Sequence, residues 1–277
     1  MSTTRHHEFE THQPVMLHVE LGRGSLTVTA TDTTQSTVAV EGKDCEQVRV
    51  EQQGRTISVV APRQRAGFFS SDHGFDVEVT VPLGSDLAAR TGSADITVDG
   101  TLGTCEVRSG SGEVQLADVA GPALVETGSG DVRVEVANAE LRVKSGSGEV
   151  TVGHAEGVVA VSTGSGDVEI RTSNGPAAVK TGSGDFRVVE ARDDVSMATG
   201  SGDLLVGTAH RGKFTMKGAS GDVHIGIPAG TPVWTDLSTL SGTIRSDIEG
   251  AGQPAEGADH VELRAKVVSG DIVLTQV

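Results

Sequence analysis

Carboxylates recur along this chain at a fixed interval. Asp95, Glu113, Asp131, Glu149, Asp167, Asp185 and Asp203 are spaced by 18 residues, Asp222 follows after 19, and Asp271 repeats the same surroundings later. An aligned row of acids suggests two chemistries. It can ligate a hard cation through oxygen, or supply the acid and base or nucleophile of a glycosidase, whose two carboxyl groups stand about 5 to 10 Å apart. If cations bind, the ligands are Asp95, Glu113, Asp131, Glu149, Asp167, Asp185, Asp203 and Asp222. Calcium solenoids, however, carry an acidic Gly-rich loop about every nine residues. Here only one loop per 18 residues has it, and the other lacks the carboxylates needed toward calcium's roughly six to eight oxygens. The glycosidase signal selects nothing, because any acidic repeat offers carboxylates at that separation. His154, His210 and His224 fall at unrelated points of the repeat, so the phrase serines gain no recurring base. His6, His7 and His12 come without Cys or ordered acids and read as a polar terminus. No catalytic residue, cofactor or dedicated metal site is expected.

The acids sit in a repeated phrase, of which Thr163-Gly164-Ser165-Gly166-Asp167-Val168 is representative. Counting its Thr or Ser as position one, apolar residues fill position six (Ile96, Val114, Val132, Val150, Val168, Phe186, Leu204) and position eight (Val98, Leu116, Val134, Val152, Ile170, Val188, Val206). Positions fifteen and seventeen are apolar too, as in Cys105 and Val107 or Val159 and Val161. Spacing by two is the strand period. Each coil therefore holds two short strands joined by the phrase at one bend and by a Gly-, Asn-, Asp- and Ala-rich turn at the other. A unit of 18 residues buries nothing alone, so coils must stack. The phrase is expected to form a corner in which Gly at positions two and four supplies positive φ. Ser at three and the acid at five cap turn N–H groups, and the position-one hydroxyls form a ladder. Carboxylates stacked about 4.8 Å apart repel by roughly 1 kcal/mol per pair even in water.

The fold class that follows is all-β: a right-handed parallel β-solenoid with 18-residue coils and an irregular N-terminal β cap, its hand taken from the general rule for parallel crossovers. Nine or ten coils would stack to roughly 45 Å. Residues 1–12 read as a disordered lead-in, 13–90 as the cap and first irregular coils, and 91–217 as the regular solenoid. Residues 218–277 read as irregular coils with an acidic loop at 247–259. Between Pro62 and Gly74, Arg63, Arg65, Phe68 and Phe69 read as a surface loop anchored by its aromatics. Trp234 is expected to cap the core. The final strand, after Asp271, is expected to leave an open edge for the acidic loop or another chain to cover.

Composition narrows the partners. The 277 residues carry a formal charge of −16, which opposes binding to nucleic acid or to anionic membrane surfaces. No apolar run is long enough to span a membrane. Met1–Glu10 has no apolar signal segment, so a cytoplasmic location is expected. Cys45 and Cys105 suggest no disulfide framework, and Cys105 falls on an inward column as a small buried hydrophobe. With six Phe, one Trp and no Tyr, the core must be aliphatic.

Three stretches carry a family resemblance: Val19-Glu20-Leu21-Gly22-Arg23-Gly24-Ser25-Leu26, Val77-Glu78-Val79-Thr80-Val81-Pro82 leading into Thr91-Gly92-Ser93-Ala94-Asp95-Ile96, and the train of Gly-Ser-Gly-Asp/Glu phrases beyond. Over residues 8–277 the chain resembles a bacterial family of adhesin-like proteins of unknown function, related to toast-rack β-solenoid domains. The resemblance implies a β-solenoid that binds another protein or a surface glycan. The expected function is a non-enzymatic scaffold, with end-to-end self-association through the C-terminal coil. A calcium-binding solenoid and a carbohydrate-active enzyme are the alternatives.

Overall fold

A computed structural model describes residues 3–62, 74–249 and 259–277. Arg63, Arg65, Phe68 and Phe69, and residues 250–258 of the acidic loop, lie outside the described residues. The chain divides into two compact units, Met1–Ala139 and Glu140–Val277. Both are built from strands; the described residues contain no α-helix and one short 3₁₀ turn, Cys45–Gln47.

In the first unit one sheet runs Thr3–Glu10, Gln35–Gly42, Phe75–Pro82, Gly24–Thr31, Asp95–Leu102, Val114–Val119, Val132–Ala137. The other runs Arg49–Gln53, Thr56–Val60, Met16–Leu21, Asp86–Thr91, Cys105–Ser109, Ala123–Thr127. The cap consists of three antiparallel pairings, of Thr3–Glu10 with Gln35–Gly42, of Gln35–Gly42 with Phe75–Pro82, and of Arg49–Gln53 with Thr56–Val60. Within the stretch read as a disordered lead-in, Thr3–Glu10 instead forms a full ladder with Gln35–Gly42. His6 and His7 are consecutive on that strand and point to opposite faces, so they cannot share an ion.

The early residues also join the parallel register. Leu26 and Val28 lie beside Ile96 and Val98, and Leu17 beside Leu87. Gly24-Ser25-Leu26-Thr27-Val28 is therefore a true copy of the later pattern, with Leu26 at position six. Its coil is not outermost. Strands Thr56–Val60 and Phe75–Pro82 pair on its far side.

The second unit repeats this arrangement. One sheet runs Val150–Ala155, Val168–Ser173, Phe186–Ala191, Leu204–Ala209, Val223–Ile227, Ile272–Gln276, Ile244–Ser246. The other runs Leu141–Ser145, Val159–Thr163, Ala177–Ser183, Val195–Ser201, Gly212–Ser220, Val261–Ser269, Val233–Ser241. The expectation of an open final strand is overturned. Ile272–Gln276 pairs with Val223–Ile227 on one side and with Ile244–Ser246 on the other. The chain places the 233–246 coil one level further out, then returns to fill the gap. A strand hydrogen-bonded along both edges frays less than one paired along a single edge, which favours this order. Among the described residues of this unit, the open edge belongs to residues 233–246 instead.

Apolar columns fill the interior. Val168, Ile170, Phe186, Val188, Leu204 and Val206 are at most 1% exposed, and positions fifteen and seventeen at most 5%. Burying one such side chain stabilises by about 1.5 to 3 kcal/mol, so the core rests on many aliphatic increments. A further column escapes period-two reading. Leu102, Val119, Ala137, Ala155, Ser173, Ala191 and Ala209 are also buried. They follow position eight by three or four residues, after the backbone shifts face, and their small size hides them in the sequence. In this column Ser173 satisfies its buried hydroxyl by donating to the Gly175 carbonyl at 2.8 Å.

Candidate functional site

The repeated phrase builds the site's wall. Gly166 N–H donates to Thr163 Oγ1 at 3.1 Å, and the same bond joins Gly112 to Ser109, Gly130 to Thr127 and Gly148 to Ser145. Each of these hydroxyls closes its own corner, three residues on, and among the described residues no hydroxyl ladder of the expected kind joins the coils. The expected positive φ is found at the position-four glycines Gly202, Gly221, Gly242 and Gly270, but at Gly164 and Gly166 glycine is needed for another reason. A Cβ at Gly166 would stand 2.0 Å from the Gly148 carbonyl oxygen, and one at Gly164 2.5 Å from that of Gly146. The stacked corners approach too closely for any side chain.

From Thr181 onward the corner changes. Strand Ala177–Ser183 continues through the phrase, and Gly184 N–H donates to the Ser201 carbonyl of the next coil. Gly202, Gly221 and Gly270 make the equivalent bond to Ser220, Ser269 and Ser241. Thr181 Oγ1 and Thr199 Oγ1 are left buried without a partner among the described residues. Position one then becomes Gly218 and Val267, before Thr239 restores a hydroxyl in the outermost coil, where it donates to the Gly270 carbonyl at 3.0 Å.

The acids form a hydrogen-bonded ladder. Asp167 Oδ1 accepts from the backbone N–H of Asp185 at 2.8 Å, Asp185 from Asp203 at 2.8 Å, and Asp203 from Asp222 at 2.7 Å. Asp222 accepts from Asp271 at 2.7 Å, and Asp271 from Thr243 at 2.8 Å. In the first unit Asp95 does the same for Glu113 at 2.9 Å. One oxygen of each of these aspartates is committed to a backbone donor, which offsets the repulsion along the column. The Thr243 N–H holds the Asp271 carboxyl below its ordinary range, with smaller contributions from Arg245 and His224. Asp95, Glu113, Asp131, Glu149, Asp167, Asp185, Asp203 and Asp222 all face solvent. Among the described residues, no group of three or more His, Cys, Asp or Glu is placed to hold a metal ion.

Beside the ladder in the second unit lies an open groove of about 410 Å³. Asp185, Asp203 and Asp222 form one wall, Phe186 and Leu204 lie beneath, and Arg187, Leu205 and His224 form the other side. Arg187, Leu205 and His224 are cross-strand neighbours on the outward face, one per coil. In that row Leu205 is an apolar side chain 37% exposed, where the coils before it carry Thr97, Gln115, Arg133, Thr151, Glu169 and Arg187 and the coil after His224 carries Val273. The consecutive apolar residues Leu204-Leu205-Val206 were the available sequence signal, since they break the alternation.

Other candidate residues do not join the groove. His154 Nε2 lies 2.7 Å from Glu156 Oε1, which also accepts from Asn174 Nδ2 at 3.0 Å. The His154 hydrogen bond, aided by Asn174, lowers the Glu156 pKa. This cluster ties two coils together on the surface. Burial pushes the Cys105 thiol up to about 12, which makes it an inert core residue. Trp234 does not cap the core. It is 51% exposed, with the Arg264 guanidinium 5.2 Å above its ring.

Among known proteins, the family model Toastrack DUF4097 matches residues 16–206 and 124–275. The chain is similar to the solved structure of a putative adhesin from Parabacteroides distasonis, at 14% identity, covering 99% of this chain and 97% of that one, with a TM-score of 0.41. A putative lipid binding protein from the same organism is 13% identical, covering 99% and 96%, with a TM-score of 0.47. A putative adhesin from Bacteroides fragilis is 12% identical, covering 98% and 97%, with a TM-score of 0.38. No curated protein matches the chain.

Proposed function

The chain belongs to the Toastrack DUF4097 family, and from that premise we propose that it is a non-enzymatic, adhesin-like scaffold that recognises another macromolecule along the groove beside its acid ladder. The observation that carries this reading is Leu205, an outward leucine held between Arg187 and His224 and facing Asp185, Asp203 and Asp222. An exposed apolar side chain rimmed by charge suits a partner offering an apolar group flanked by cations. The formal charge of −16 acts in the same direction by steering basic partners. A protein surface supplies both features, whereas a neutral surface glycan supplies neither cation nor strong apolar contact.

The ladder supports a scaffold over an enzyme or a cation site. Its Oδ1 atoms already hold the backbone N–H groups of successive coils, so their positions answer to stacking. The test is capture of partners from the native host and from a glycan array, using the intact chain and a Leu205→Lys variant, which removes the apolar group and repels a cationic partner. We expect a basic protein ligand that the variant loses at unchanged melting temperature. Equal capture by both proteins, retention of glycans alone, or turnover of a glycan would overturn the reading.

A further inference from the structure

We propose that a second copy of this chain docks on the outermost coil of the second unit, through antiparallel pairing of strand Val233–Ser241 with itself about a two-fold axis at Leu237.

The outermost coil is unlike every coil beneath it. Strand Val233–Ser241 pairs with Val261–Ser269 along one edge, and Ile244–Ser246 with Ile272–Gln276 along one edge. Among the described residues their other edges have no strand partner. The inward columns, at most 5% exposed in the coil below, open here: Val233 and Leu237 are half-buried and Ile244 is 47% exposed. Outward, Trp234 and Leu240 are 51% and 84% exposed.

The first unit shows how this chain treats an edge meant to stay free. Its outermost strands, Thr3–Glu10 and Arg49–Gln53, carry Arg5, His6, His7, Glu8 and Glu10 in one and Arg49 and Glu51 in the other. Charge of that density prevents strand addition. Val233–Ser241 carries a single charge, Asp236.

The sequence of the strand fits itself. Antiparallel pairing centred on Leu237 sets Trp234 against the second copy's Leu240 and Thr235 against Thr239, each twice. Asp236 then meets Ser238, and Leu237 meets Leu237. Centring the axis one residue earlier would oppose Asp236 to Asp236, a like-charge pair that this register avoids. The pairing is isologous and closes as a dimer. It is independent of the groove around Leu205, and either can fail alone.

The test is sedimentation of the intact chain over a wide concentration range, beside a Trp234→Lys, Leu240→Lys variant and a Leu237→Cys variant. A reversible dimer is expected, with the double variant raising its Kd at least about tenfold. Leu237→Cys should give a disulfide-linked dimer under mild oxidation, because the axis brings the two thiols together and Cys45 and Cys105 are buried. The exposed Ser196→Cys should not. If the double variant fails to fold, the cysteine pair decides. A strict monomer, a dimer indifferent to the double variant, cross-linking equal at residues 196 and 237, or open-ended polymers would each overturn the proposal.

Discussion

Asp185 Oδ1 accepts the backbone N–H of Asp203 at 2.8 Å, so one acid of the column holds the next in place. Its charge and its acceptor oxygen therefore act in opposite senses. The charge repels its neighbours, while the oxygen satisfies a donor at the start of the following strand. Asp185→Asn keeps the oxygen and removes the charge, and should leave the melting temperature unchanged or raised. Asp185→Ala removes both and should cost about 1 kcal/mol. Added salt should raise the melting temperature of the natural protein more than that of Asp185→Asn. Thermal unfolding at low and high ionic strength checks all three.

Asp271 adds a pH dependence of known sign. Its carboxyl is held below the ordinary value of 3.8 in the folded chain by the Thr243 N–H. A lowered folded pKa contributes stability above 3.8 that is lost as pH falls through the folded value. Acid unfolding followed by circular dichroism should show a shallower loss of stability below pH 3.8 for Asp271→Asn than for the natural protein.

Thr163 and Thr181 occupy the same position of successive phrases yet should respond oppositely to valine. Thr163 Oγ1 accepts from Gly166, so Thr163→Val strands a buried donor and should cost at least about 1 kcal/mol. Thr181 Oγ1 is buried without a partner among the described residues, so Thr181→Val removes a desolvated hydroxyl and should be neutral or stabilising. Chemical denaturation of the two variants distinguishes them.

Gly166 is fixed by its neighbour in the stack. A Cβ there would stand 2.0 Å from the Gly148 carbonyl oxygen, and that atom is backbone. Gly166→Val should destabilise by about 3 kcal/mol or more, whereas the exposed Ser165→Ala should stay within about 0.5 kcal/mol. Comparable losses in both would contradict close stacking of the corners.

The spacing of Asp167, Asp185 and Asp203, with apolar pairs such as Val168 and Ile170 behind them, determined the strands, the corners and the parallel register, because a local period repeats wherever its residues repeat. Even the worn copy at Leu26 and Val28 kept its place in that register. What the repeat could not carry was decided between coils. Gly166 serves close packing and Thr163 its own corner, while each ladder aspartate serves the coil after it; these roles depend on distances between residues that no local pattern encodes. The order of coils is the largest such decision. The strand after Asp271 lies within its sheet and Val233–Ser241 forms the edge of the other, because hydrogen bonds on two edges favour burying the last strand. The 18-residue period describes a coil, and only the tertiary structure could say which coil remained at the edge.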